Sequence, residues 1–385
     1  MSVIESVRRH ADEMIAIRRD LHSHPETAFE EHRTVDLIAR RLSEWGWKVK
    51  SGTGATGVVG TLSAGHGRRS IMIRADIDAL PMQEDVGLAW ASRTRGRMHA
   101  CGHDGHTAIL LAAARHLADT KEFSGTVHVV FQPAEEIVAG ARRMVDEGLF
   151  KEFPADHVYG LHNIPGMAAG SFGFREGPFW AAFDTYEIDV EGFGSHASQP
   201  HRSKDPIVAG ASMVMALQSI VSRNVDPVEP AVVTVGVFQA GTAANVIAQR
   251  AQLRISTRAF TEEMRAFLRQ RIFEIADLQA RTFGAAASVL HSSGVAPVIN
   301  DAAATRKVEK VARNLFGDER ILQNVPLMSY SDDFSVFSQN CPGCYVVVGN
   351  GDSKPLHNPG YDFNDEILVD AASMWVSLVE SNLMA

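Results

Sequence analysis

The run His99-Ala-Cys-Gly-His-Asp-Gly-His106 places a cysteine, three histidines and an aspartate within eight residues. Thiolate, imidazole and carboxylate are the side chains that bind divalent transition metals, and each is costly to bury without a partner. Glycines at 102 and 105 are expected to let a non-helical backbone turn tightly enough to aim several of these groups at one point. The other members of the run have ordinary uses. Asp104 is expected to cap the helix that follows, His99 to support the run, and His106 to pack against the loop rather than bind a metal.

More candidate donors follow β-like runs. IMIR is followed by Asp76 and Asp78, and TVHVVF by Gln132-Pro-Ala-Glu135-Glu136. VYGL is followed by His162-Asn163, and YVVVG by a loop carrying His357 in Leu-His-Asn-Pro. In an open α/β sheet, sites form beyond the carboxyl ends of the strands, so these groups should meet at one edge. Cys101, His103, Glu136, His162 and His357 then supply five donors of mixed sulfur, nitrogen and oxygen character. That mixture suits zinc, manganese, cobalt or nickel. Two ions about 3.5–4 Å apart can polarise a carbonyl and hold a hydroxide. One carboxylate of the Glu135-Glu136 pair can bind metal while its neighbour handles the proton of the attacking water. Spacing leaves open which does which.

The elements that must position these groups follow from periodicity. Helical pattern opens the chain and runs, broken at His24-Pro25, to about Trp45. Strands are expected at Gly57–Leu62, Ser70–Arg74, Gly125–Phe131 and His157–Leu161, with helices at Thr107–Asp119 and Glu136–Glu147. Alternating strands and helices predict a mostly parallel sheet with flanking helices. From about residue 181 the order becomes β-α-β-β-α-β: Phe183–Val190, Asp205–Arg223, Ala231–Gln239, Ala251–Ala259, Thr261–Phe283 and Ala285–His291. This is the pattern of a ferredoxin-like α+β unit. Helix–strand alternation then resumes, with Ala302–Phe316, Cys344–Gly349 and a closing helix from Asp365. The expected organisation is a discontinuous α/β domain of residues 1–181 and 293–385 that carries an inserted domain of residues 182–292.

Composition narrows the function. The chain has 385 residues, 45% hydrophobic and 22% charged, and a formal net charge of −9 without a long basic run, which argues against nucleic acid. No run approaches about eighteen uninterrupted apolar residues, so no membrane span is expected. The charged, amphipathic amino terminus lacks the apolar core of a secretory signal. Three cysteines, Cys101, Cys341 and Cys344, give no disulfide framework and fit a reducing cytoplasm.

RADIDALPMQED, MHACGHDGHTA, QPAEE, GLHN, SHAS and LHNP, in this order and spacing, resemble the M20 metallopeptidase clan. Within it they resemble the aminoacylase and amidohydrolase branch that includes hippurate hydrolase and indole-acetyl-amino-acid hydrolases, over essentially the whole chain. The resemblance implies a carboxypeptidase-like catalytic domain with two divalent metals per subunit and a ferredoxin-like lid that mediates homodimerisation. It implies Cys101, His103, Glu136, His162 and His357 as ligands, Glu135 as general acid/base, and Asp78 as the carboxylate that orients a ligating histidine. His196 and Asn245, in the lid, are implied to contact substrate. The implied activity is hydrolysis of the amide of a small N-acyl or N-aroyl amino acid. The chain has Asn245-Val-Ile-Ala248 where relatives usually have a final proline.

Other motifs read as structural. Gly52-Thr-Gly-Ala-Thr-Gly57 fits a dinucleotide fingerprint, but the Val58-Val-Gly-Thr-Leu62 after it is strand-like and offers no helix N-terminus to a pyrophosphate. Cys341-Pro-Gly-Cys344 precedes a strand and has no second CxxC. His22, His24 and Glu26 are read as structural, and Phe179, Trp180 and Phe183 as packing before an acyl pocket. The competing readings are a dinuclear dipeptidase or carboxypeptidase, a metal-binding protein without turnover, and a thiol redox protein.

Overall fold

Ile71, Met72 and Ile73 on one strand and Val127, His128, Val129, Val130 and Phe131 on its neighbour are all buried, as a strand covered on both faces requires. They belong to an eight-stranded sheet. Its order is Lys48–Thr53, Gly57–Ala64, Gly125–Gln132, Ser70–Asp76, His157–Pro165, Gly343–Gly351, Phe172–Phe174, Ile321–Gln323. The four central strands run parallel, and their three pairings begin at Ser70 with Thr126, Ile71 with His157 and Gly343 with Val158. Lys48–Thr53 and Gly57–Ala64 form an antiparallel hairpin on one side, so the glycine-rich 52–57 run is a hairpin turn and no helix follows it. The computed structural model describes residues 2–384. They divide into a larger unit of Met1–Gly177, Ile299–Pro326 and Asp333–Ala385 and a smaller one of Pro178–Val298 and Leu327–Asp332.

In the larger unit the helix His103–Thr120 is buried along most of its length and packs against Ala11–Ser23 and Leu368–Asn382. A helix that is apolar nearly all round belongs inside. Three local expectations need correction. Asp104 is not the cap: Gly102, in the left-handed region at φ 95°, occupies that position, and Asp104 lies inside the first turn. Gly105 does not serve a non-helical turn. It lies within the helix, where a Cβ would come within 2.3 Å of the Phe363 ring. The helix expected from Glu136 starts at Gly140, because residues 135–138 close a turn of their own through Val138 N–H donating to Glu135 O at 2.7 Å. The opening helical pattern also breaks once more than periodicity indicated, giving Val3–Arg8, Ala11–Ser23 and His32–Glu44.

The smaller unit is built on a four-stranded antiparallel sheet, ordered Ala231–Ala240, Arg250–Ala259, Ala182–Glu191, Ala286–Val295. Helices Pro206–Ser219 and Glu262–Thr282 pack on it, completing the ferredoxin-like order. Its core is separate and includes Tyr186, Ile188, Met213, Leu217, Leu253 and Ile272. Residues 327–332 fold with this unit because Met328 pairs with Phe179 and Ala181, and Ser329 O accepts from Arg258. Such pairing across about 150 residues has no local signature. Pro206–Asn224 is long and apolar enough to cross a bilayer by length and composition alone, though it is no uninterrupted apolar run. Here Ala209, Met213, Leu217 and Ile220 are buried against the unit's own sheet.

Candidate metal centre

Three segments of the larger unit meet at the carboxyl edge of the parallel strands. Asp78 follows Ser70–Asp76, Glu135 and Glu136 follow Gly125–Gln132, and His162 is on His157–Pro165 near its end. Cys101 and His103 lead into the buried helix, and His357 arrives from the loop after Gly343–Gly351. His357 has a positive φ of 62°, and its N–H donates to Ala100 O at 2.8 Å, tying that loop to the Cys101 segment.

The five expected donors form two overlapping groups. Cys101, His103 and His162 offer atoms within 4.8 Å of one another, and so do Cys101, Glu136 and His357. Cys101 is common to both, as a bridging thiolate would be. Cys101 Sγ lies 3.4 Å from His162 Nε2, and His357 Nε2 lies 3.4 Å from Glu136 Oε2. Imidazole orientation is set from behind. His103 Nδ1 donates to Asp78 O at 2.9 Å, with Asp78 Oδ1 at 3.3 Å, and His162 Nδ1 donates to Asn163 O at 2.8 Å. Each ring therefore turns an unprotonated-capable Nε2 toward the cluster. His103 Nε2 and Glu136 Oε1 are buried without a hydrogen-bond partner. Buried polar atoms are seldom left so, and a divalent cation satisfies both. The residues present fit the group.

Electrostatics give the same picture. Burial opposes the charge on His103, yet Asp76, Asp78 and Glu136 push it up to about 10. The pocket thus draws positive charge strongly. Burial and the neighbouring His106 hold His162 well below the usual range, hence neutral and able to donate a lone pair. Burial raises Asp78, with the Glu136 charge adding to it against His103.

Glu135 and Glu136 occupy the turn at 135–138, and each carboxylate reaches 4.0 Å from His103 Nε2. The turn is anchored at several points. Glu136 N–H donates to Asp78 Oδ2 at 3.0 Å and Ala134 N–H to the buried Glu31 at 2.9 Å. Asp333 accepts from Gln132 Nε2 at 2.7 Å and from Ala141 N–H at 2.9 Å. Glu31 had no motif to mark it, because its partner in this turn, Ala134, lies about a hundred residues away.

The rest of the opening run supports the donors. His106 Nδ1 donates to Asp76 Oδ1 at 2.6 Å, and its Nε2 lies 2.7 Å from Asn163 Oδ1. Asn163 Nδ2 donates on to Tyr361 OH at 2.5 Å. Asp104 is paired with Arg18 Nε at 2.9 Å and His22 Nδ1 at 2.8 Å. Burial lowers His22, but Asp104 and Glu84 raise it to about 9. Burial drives His99 down to about 3, so it stays neutral. Glu26 accepts from Arg33 and Thr34 N–H at the start of His32–Glu44. Burial raises Cys341 and Cys344 to about 12, so neither is a ready thiolate.

In the smaller unit His196 and Asn245 come together. Ser195–His196 pairs with Val246–Ile247, and Ala197 N–H donates to Asn245 O at 3.0 Å. Both residues line an open cavity of about 660 Å³. His196 Nδ1 accepts from Ser198 N–H at 3.1 Å, which puts the ring proton on Nε2, a donor free to meet an anionic oxygen. Phe179 and Trp180 are fully buried, with the Trp180 ring 5.5 Å from that of Tyr330, so they serve packing.

Known proteins resemble this chain in sequence and in fold. The profile of Peptidase family M20/M25/M40 matches residues 72–381. Hippurate hydrolase from Campylobacter jejuni is 40% identical over 98% of each chain. N-acetyl-L-cysteine deacetylase from Bacillus subtilis is 36% identical over 94% of this chain and 86% of its own. Among solved structures, the YXEP protein of Bacillus subtilis, described as a dinuclear metal binding peptidase from the M20 family, superposes with a TM-score of 0.86. It is 32% identical over 98% of this chain and 99% of its own.

Proposed function

The chain belongs to Peptidase family M20/M25/M40, and on that premise we propose that this metal-dependent amidohydrolase cleaves N-acyl or N-aroyl amino acids to a carboxylic acid and a free amino acid. Hippurate hydrolase and N-acetyl-L-cysteine deacetylase, its relatives, support the substrate class. The observation that carries the reading is the pair of donor groups sharing Cys101, with a second carboxylate beside them. Cys101, His103 and His162 would hold one divalent ion and Cys101, Glu136 and His357 the other. Such ions polarise a carbonyl and make water acidic enough to attack at neutral pH.

The chain's own residues supply the proton transfers. Glu135 takes the proton of the attacking water and returns it to the departing amine, leaving the enzyme in its starting state. Asp78 acts through His103, holding its ring so that Nε2 faces the cluster. His196 Nε2–H and the Asn245 amide are donors for the substrate carboxylate or the developing oxyanion. The smaller unit is the lid, and its exposed apolar residues, Met215 and Leu290 among them, suit pairing into a homodimer. Manganese, zinc, cobalt or nickel fits the sulfur, imidazole and carboxylate set. The scarcity of cysteine, with no disulfide among the described residues, accords with the cytoplasm.

A panel of N-acetyl, N-benzoyl, long-chain acyl and indole-acetyl amino acids, assayed beside dipeptides with manganese, cobalt or zinc, tests the reading. Turnover of acyl amino acids is expected. A preference for dipeptides would make the protein a dipeptidase, and a metal-loaded protein inert on the whole panel would be a binding protein.

A further inference from the structure

Ile137 is the residue after the Glu135-Glu136 pair and is 55% exposed. Among the described residues of the larger unit, the large apolar side chains so exposed are Ile137, Ile299, Leu322 and Met384. Of these, only Ile137 adjoins a candidate donor. A single exposed isoleucine ordinarily needs no explanation. Its backbone does.

Residues 135–138 form one turn, closed by Val138 N–H donating to Glu135 O at 2.7 Å. Val138 sits at φ 50° and Ala134 at φ 52°. A β-branched residue in the left-handed region is a real outlier, and such strain persists only where surrounding contacts over-determine it. Here they do. Glu31 and Asp78 hold Ala134 and Glu136 by their N–H groups, and Asp333 holds Ala141. Gly140 passes so close to the start of the turn that a Cβ there would come within 1.6 Å of Pro133 O. The two carboxylates, both 4.0 Å from His103 Nε2, and Ile137 are therefore presented by one rigid turn.

We propose that Ile137 is a specificity-determining residue that contacts an apolar group of the substrate flanking the scissile amide. This rests on the amidohydrolase reading above. The position suits it: a group bound at the carboxylates lies within one or two residues' reach of the next side chain round the turn. An isoleucine left in water gains from covering only when a ligand arrives, so its contribution favours bulky apolar substrates over small ones.

The test is a two-by-two comparison of N-acetylglycine, N-acetylleucine, N-benzoylglycine and N-benzoylleucine with the wild-type holoenzyme, Ile137→Ser and Ile137→Leu. For Ile137→Ser, kcat/KM is expected to fall at least tenfold further on the bulky substrates than on N-acetylglycine, mainly through KM. Ile137→Leu keeps most of the preference. Loss that follows the benzoyl group places the contact on the acyl side, and loss that follows leucine places it on the amino-acid side; either supports the proposal. Metal content and melting temperature, measured alongside, should match wild type. An equal change on all four substrates, or none, overturns the proposal. Wild-type enzyme inert on all four would instead overturn the amidohydrolase reading, and the proposal with it.

Discussion

Glu135 and Glu136 are neighbours in the chain, yet each brings a carboxylate oxygen to 4.0 Å from the same atom, Nε2 of His103. Two adjacent acids that converge on one imidazole can divide metal binding and proton transfer between them. Glu136 also lies 3.4 Å from His357, which gives it a second donor beside it.

Glu135→Gln should therefore keep its metal and lose its chemistry. A fall in kcat of about 10²–10⁴-fold is expected, with little change in metal content by elemental analysis. Most of the turnover surviving in a fully metallated variant would remove Glu135 from the mechanism.

Cys101→Ala takes away the donor common to both groups. Both ions should be lost or weakly held, whereas His357→Ala should spare the Cys101–His103–His162 group. Metal stoichiometry after dialysis separates the two variants. Equal retention by both would mean that Cys101 is not shared.

Asp104→Ala removes the buried carboxylate that Arg18 and His22 share, leaving Arg18 to Asp362 and Asp365 and His22 to Glu84. Breaking a buried pair in this way costs about 3–5 kcal/mol. Urea denaturation should show that loss. A cost under about 1 kcal/mol would mean that water has replaced the carboxylate.

His128 gives the acid side of the stability profile. It is buried on Gly125–Gln132, with Nδ1 2.9 Å from Thr61 Oγ1, and burial lowers it to about 4. Below about 6.5 the unfolded chain takes up the proton that the folded one refuses. Stability from this group is thus complete above about 6.5 and declines as pH falls toward about 4, by roughly 3 kcal/mol. His128→Gln should flatten the melting-temperature profile across that interval. An unchanged slope would show that other groups set it.

The candidate donor cluster was legible because it depends on residue types at positions that a local rule can find. Cys101, His103, Glu136, His162 and His357 fall where strands end or the central helix begins, and the carboxyl edge of a parallel sheet gathers whatever stands there. The β-α-β-β-α-β unit was equally readable, since periods of two and 3.6 residues are written within each segment. The tertiary structure decided what those rules do not reach. Asp104 has the sequence context of a cap, but Arg18 and His22 arrive from the helix Ala11–Ser23 and claim it as a buried ion. Gly105 looked like a turn residue, and the ring of Phe363 explains it instead. The pattern after Glu136 looked helical, yet Glu31, Asp78 and Asp333 hold that loop by its N–H groups in a strained turn. Each correction comes from a contact across tens to hundreds of residues. Its energy belongs to the packed state and leaves no period in the sequence.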